Sequence, residues 1–125
     1  MTTRTFYSER VKQLPAGFAD TISSIMRIIS TMEDIEKVIM FGSCSRNTQT
    51  DKSDIDLLLL LNSNKSCLPY SRLEEKVGLS IFEQFNFSDN KPVDLLFADE
   101  PEFNNSTRID SVYHYIKRDG VVLYE

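Results

Sequence analysis

The chain is poor in the residues that bind soft metals or cross-link small folds. It holds two cysteines, Cys44 and Cys67, with no Cys-x-x-Cys pair, and a single histidine, His114. So sparse a set encodes neither a disulfide framework nor a zinc site, and a reducing cytoplasm fits it best. Long apolar runs are missing as well. The longest, Leu57 to Leu61, falls far short of the roughly 20 apolar residues of a membrane helix, and no basic segment followed by an apolar one opens the chain. A soluble, unsecreted protein with no membrane partner is expected. Positive charge is scarce too, with 14 Lys and Arg against 19 Asp and Glu, a formal charge of −5. Affinity for a nucleic-acid backbone grows with the phosphates that Lys and Arg neutralise. The balance therefore argues against a long nucleic acid, though not against a single nucleotide chelated with metal. Low-complexity tracts and internal repeats are absent, so residues 1–125 read as one domain with one core and one site.

What is present alternates between two periodicities. Phe18, Ile22, Ile25, Met26, Ile29 and Met32 follow the three-and-four spacing of an amphipathic helix, with Asp20 near its start. After the polar stretch Glu33 to Lys37, the run Val38-Ile39-Met40-Phe41 reads as a buried strand ending at Gly42. A polar loop is expected from Ser43 to Ser53, then a central strand of Ile55 and Leu57 to Leu61 entered through Asp54 and Asp56 and closed by Asn62, Ser63 and Asn64. From Pro69 to Phe85, Tyr70, Leu73, Val77, Ile81 and Phe85 keep helical spacing. Breakers from Ser88 to Pro92 precede a third strand, Val93 to Phe97. Ile109, Val112 and Ile116 mark a last helix that ends at Gly120 before Val121 to Tyr124. This alternation indicates an α/β domain with one sheet flanked by helices.

Acids stand in two of these strands where an apolar residue is expected. Ionised carboxylates are costly inside a protein unless they are paired or bind a metal. Side chains alternate along a strand, so Asp54 and Asp56 project to one side while Ile55 turns into the opposite layer. If the strand carrying Asp94 lies beside them, Asp94 stands within roughly 5 to 8 Å of the pair. Oxygen ligands of this kind suit Mg²⁺, which binds through one or two carboxylates while phosphates and waters complete its shell. Two such ions, about 3.5 to 4 Å apart, stabilise the attacking and leaving oxygens of an in-line phosphoryl displacement. A calcium loop is excluded, because Ile55 and Asp56 occupy the third acidic and the glycine places of the segment starting at Asp51.

With Gly42-Ser43, ten residues and then Asp54-Ile55-Asp56, the chain resembles the DNA polymerase β-like nucleotidyltransferase superfamily. In particular it resembles the minimal nucleotidyltransferases, through Phe41-Gly42-Ser43, Arg46, Ser53-Asp54-Ile55-Asp56-Leu57, Val93-Asp94-Leu95 and the closing helix, glycine and strand from Ile116 to Tyr124. The resemblance spans roughly residues 18 to 125. It implies the polymerase β-like α+β fold, a short mixed sheet flanked by helices, together with a nucleoside triphosphate donor such as ATP and two Mg²⁺ ions. The implied reaction moves a nucleoside monophosphate onto a hydroxyl. Asp54, Asp56 and Asp94 would then be both catalytic residues and metal ligands, with Asp94 also helping to deprotonate the hydroxyl. Gly42 would let the backbone approach the triphosphate, while Ser43 and Arg46 would hold its oxygens.

Many of these relatives place glycine after the loop arginine. Here the residue is Asn47, which tolerates positive φ less freely than glycine, so donor affinity is where an effect is expected. Cys44 reads as a small packing residue and His114 as a surface or partner contact. Lys52, Lys117 and Arg118 read as solvated charges outside the site. Proteins of this type and size often act as antitoxins beside a helical HEPN-type toxin, in characterised cases by adding AMP to a toxin hydroxyl. Without an acceptor-binding domain, the acceptor would come from such a partner or from a second subunit of a homo-oligomer, with Tyr7, Tyr70, Tyr113 and Tyr115 as candidate contacts. Two other readings stand beside it: a binding module that neutralises its partner by occlusion, and a transferase for a small-molecule hydroxyl.

Overall fold

A strand that carries leucine on both faces is stable only between two apolar layers, and the leucine run occupies such a position. In a computed structural model that describes residues 4–62, 70–106 and 111–125, with the backbone alone at 70–73, the run lies in β2 (Ile55–Leu61). Its neighbours are β1 (Ile35–Phe41), which pairs antiparallel, and β3 (Val93–Asp99), which pairs parallel. The short β4 (Val121–Tyr124) lies antiparallel to β1, so the mixed sheet has the order β3-β2-β1-β4.

Parallel neighbours need a crossover, and the helix between β2 and β3 is described from Tyr70 to Gln84. Ahead of it in the chain come α1 (Glu9–Lys12), α2 (Ala16–Ile29) and α3 (Ser43–Arg46), so this helix is α4. One face of the sheet packs Ile55, Leu57, Leu59 and Leu61 against Ile22, Ile25, Met26 and Ile29 of α2 and Val77 and Ile81 of α4. On the other face Ile39, Leu58, Leu60 and Ala98 meet Phe103 of α5 (Glu100–Asn105) and Ile116 of α6 (Val112–Asp119).

Several boundaries differ from the periodicity reading, each for a local reason. The first core helix starts at Ala16 after Pro15 and ends at Ile29, not Met32. The Ser30 and Thr31 hydroxyls donate back to the Arg27 and Ile28 carbonyls at 3.0 and 2.7 Å, which closes the helix there. β1 starts at Ile35 because the polar pair Glu36 and Lys37 finds ion partners in Arg4 and Glu125, each at 3.5 Å. β3 runs past Phe97 to Asp99, whose carboxylate caps α5 by accepting from the Glu102 amide at 2.7 Å. Pro69, Cys67 and Ile109, and the side chains of Tyr70 and Leu73, lie outside the described residues. No helix among the described residues is long and apolar enough to cross a membrane.

Leu59 is fully buried at the centre of β2, so Leu59→Ala is expected to lower unfolding free energy by roughly 2 to 5 kcal/mol. A urea titration checks this: the midpoint should fall with little change of slope.

Candidate active site

β1 ends where the chain must turn sharply under β2. Gly42 takes φ 75° and ψ −153°, a region open essentially to glycine alone. A Cβ at this position would also collide with the Asp56 carboxylate, whose Cγ would lie 3.2 Å away. Gly42 is thus required by the acid beside it as well as by the turn, a reason that sequence alone did not disclose.

Ser43 to Arg46, expected to be loop, wind into the single-turn α3. The Gly42 carbonyl accepts from the amides of Ser45 and Arg46 at 3.2 and 3.3 Å and from the Ser45 hydroxyl at 2.8 Å. Arg10, distant in sequence, donates from Nη2 to the Cys44 and Ser45 carbonyls at 3.1 and 3.2 Å and so fastens the turn to the N-terminal segment. Cys44 is fully buried in the core as a free thiol. Burial first, then the nearby Asp56 charge, push its pKa up, which disfavours a reactive thiolate. Asn47 ends α3 in the left-handed conformation, at φ 59° and ψ 36°.

The loop then returns to β2 through Thr50 and Ser53, where the Thr50 amide donates to the Ser53 hydroxyl at 2.8 Å. Lys91 donates to the Asp51 carbonyl at 2.9 Å, tying this loop to the approach to β3. The Ile55 amide donates to the Pro92 carbonyl at 2.9 Å, so β2 and β3 begin level with each other.

In that register Asp56 stands directly opposite Asp94. Ile55 is buried in the layer formed by α2 and α4, and alternation along the strand turns Asp56 to the opposite face. The Asp56 carboxylate is held above the ordinary aspartate range. Partial burial contributes most to this, followed by the charges of Asp94 and Asp54, with Arg46 acting in the opposite direction. Asp54, Asp94 and Arg46 are exposed at the rim while Asp56 is half-buried.

Of the residues singled out from sequence, Gly42, Arg46, Asp54 and Asp94 thus all act on Asp56. Ser43 lies half-buried at the start of the turn that follows Gly42. The carboxylates do not form a ready-made cage, since no group of three or more His, Cys, Asp or Glu side chains among the described residues is gathered closely enough to hold an ion. Asp56 and Asp94 nevertheless fit a hard cation in chemistry, because two carboxylates facing each other on adjacent strands offer the oxygen ligands that such an ion takes. Two concavities of about 630 and 530 Å³ lie at the other end of β1, around Met32 and Glu33, away from these acids.

Remaining candidates fall outside this cluster. His114 is half-buried with its ring edge-on to Tyr115 at 5.4 Å. Lys52 is exposed, and Lys117 donates to the Asn104 and Ser106 carbonyls at 3.4 and 2.9 Å. Tyr113 packs edge-on to Phe103 at 5.4 Å, whereas Tyr7 and Tyr115 are exposed.

A glycine turn thus lies against Asp56, which faces Asp94 on the adjacent strand of a mixed sheet. Residues 23–125 match the family described as Polymerase beta, Nucleotidyltransferase, and the chain belongs to that family. The four-stranded mixed sheet with its helices has the polymerase β-like nucleotidyltransferase fold. A crystal structure from Sulfolobus solfataricus, provisionally assigned as a nucleotidyltransferase, aligns over 88% of this chain and 87% of its own, at 20% identity and a TM-score of 0.49. A toxin-antitoxin crystal structure with AMP-PNP aligns over 83% of this chain and 70% of its own, at 20% identity and a TM-score of 0.44. No curated protein sequence matches the chain.

The raised Asp56 pKa has a consequence for stability with a definite sign. Between the ordinary aspartate value and the raised native one, the folded state keeps a proton that the unfolded chain has released, so stability falls as pH rises through that window. In the absence of divalent cation, Asp56→Asn should therefore melt higher than wild type at neutral pH, and the gap should close as pH falls below the carboxylate range. Calorimetry across pH checks this. Gly42→Ala should lose about 1 to 3 kcal/mol from the backbone conformation alone, and the clash with Asp56 adds to that loss in the same denaturation assay.

Proposed function

We propose that this domain uses Asp54, Asp56 and Asp94 with the Gly42-Ser43 turn to transfer a nucleoside monophosphate, AMP from ATP, onto a hydroxyl. The observation that carries the reading is the pairing of Asp56 with Asp94 in register, level with the glycine turn. In this account Asp54, Asp56 and Asp94 would hold Mg²⁺, two ions in all. When bound, the ions supply charge stabilisation for the attacking and leaving oxygens of the displacement. Asp94, exposed at the rim, is the base positioned to take the proton of the acceptor hydroxyl. Ser43 receives a terminal phosphate of the donor at the turn, and Arg46 contributes a planar bidentate contact to the same phosphates.

The acceptor in this reading is a hydroxyl of a partner protein, a HEPN-type toxin, which makes the domain an antitoxin working in the cytoplasm. Support comes from the minimal-nucleotidyltransferase pattern of the sequence. The described residues also leave the rim carboxylates Asp54 and Asp94 open at the surface, where a macromolecular hydroxyl can reach them.

Incubation with labelled ATP, Mg²⁺ and the candidate partner, followed by intact-mass measurement, tests the reading. One AMP unit on the partner is expected with the wild type, and Asp56→Asn or Asp94→Asn should reduce its rate by at least about 10²-fold, the scale of a lost general base. Neutralisation of the partner that survives Asp54→Ala, Asp56→Ala at full strength would show that occlusion, not catalysis, does the work.

A further inference from the structure

The sheet face that carries Asp56 and Asp94 has a wall to which phosphate and metal binding assign no role. α6 lies on that face, where Ile116 packs with Ile39, Leu58 and Leu60. Its last residue, Asp119, is brought alongside the end of β1, because β4 pairs antiparallel with β1 and sets Val121 opposite Met40. Asp119 there lies within the electrostatic reach of Arg46, the candidate phosphate ligand.

Asp119 in turn holds Arg118, whose Nε and Nη2 donate to Oδ1 and Oδ2 at 3.1 and 2.8 Å. The guanidinium is fixed over the Tyr115 ring, 5.0 Å from its centroid, and His114 meets the same ring edge-on at 5.4 Å and 81°. Tyr115 and Asp119 are four residues apart and so share one side of α6, with Tyr115 roughly 6 Å further along the helix axis. Tyr115 keeps 49% of its surface exposed and Arg118 keeps 58% of its side chain exposed. An aromatic ring flanked by Arg118 and His114 therefore stands open to solvent about one helical turn from Asp119.

We propose that Tyr115, braced by Arg118, is the surface on which the base of the bound nucleotide stacks. The proposal rests on the nucleotide reading and extends it from the phosphates to the base. Stacking of this kind tolerates any base, since each has a π face, and a guanidinium adjoining the ring adds to it.

Titration calorimetry of the full chain in Mg²⁺ tests this with two probes: a non-hydrolysable ATP analogue, and inorganic tripolyphosphate, which has no base. Tyr115→Ala is expected to weaken the analogue by about tenfold, the scale of one lost stack, and to leave tripolyphosphate binding unchanged. Tyr115→Phe, which keeps the ring, should bind both like wild type. Equal affinity of Tyr115→Ala and wild type for the analogue overturns the proposal, as does an equal loss of both probes. If wild type binds neither probe, the nucleotide reading fails first and the stacking surface falls with it.

Discussion

The register that sets Asp56 opposite Asp94 is the constraint around which the rest of the site is arranged. Two carboxylates set opposite each other on neighbouring strands repel when both are ionised, so this arrangement persists only because stronger forces hold the strands in place. Those forces come from the core. A slip of β3 by one residue against β2 would turn Val93, Leu95 and Phe97 away from the layer formed by α2 and α4, and a slip of β2 would do the same to Leu57, Leu59 and Leu61. Burial of each such side chain is worth roughly 1.5 to 3 kcal/mol, summed along the strand, which outweighs the repulsion of one acid pair near the surface. The register that satisfies the leucines is the register that sets the acids face to face.

The turn that meets these acids is held from three directions. Gly42 has no side chain because Asp56 occupies that space. Arg10 binds the far end of α3 through two carbonyls, and Lys91 ties the following loop to the approach to β3. Such fastening matters because a four-residue helix is far below the length at which helices are stable alone. What stays free is the outer rim: Arg46, Asn47, Asp54 and Asp94 are all exposed. A fixed floor with an open rim suits a site that must admit a ligand without rebuilding its backbone.

Much of this was legible in the sequence because core strands rarely tolerate acids without a reason. Asp56 and Asp94 announce themselves by interrupting runs of Leu, Val and Phe, and the spacing after Gly42-Ser43 points to the same end of the sheet. The helices α2 and α4 were visible in the same way, through apolar residues at helical spacing. Less visible were features that depend on single contacts. α3 contributes only Cys44 to the core and α5 only Phe103, too little for any period to register, although Asp99 and Pro101 do form a helix-start signal in hindsight. Arg10 acts on main-chain carbonyls 34 and 35 residues away, and nothing in its neighbourhood of the chain marks it. The reason for Gly42 was legible only in part, since the collision with Asp56 appears only once β1 and β2 are paired. Asn47 is the converse case: its left-handed conformation is one that the residue type itself suggests.

Charge balance at the rim narrows how a donor would arrive. Arg46 is one cation acting on Asp56, beside which Asp54 and Asp94 add further negative charge, and Asp119 draws on the same guanidinium. On a chain of formal charge −5, a bare triphosphate entering this cluster would meet more negative than positive charge. Like charges about 4 Å apart repel by about 4 kcal/mol at an effective dielectric of 20, far more than one exposed arginine returns. On the proposed reading divalent cations would remove this repulsion, with the acids and the phosphates as ligands of the same ions instead of competitors for space. On that same reading the nucleotide and its metal would reach the site as one ligand, because the acidity of the rim disfavours the free anion.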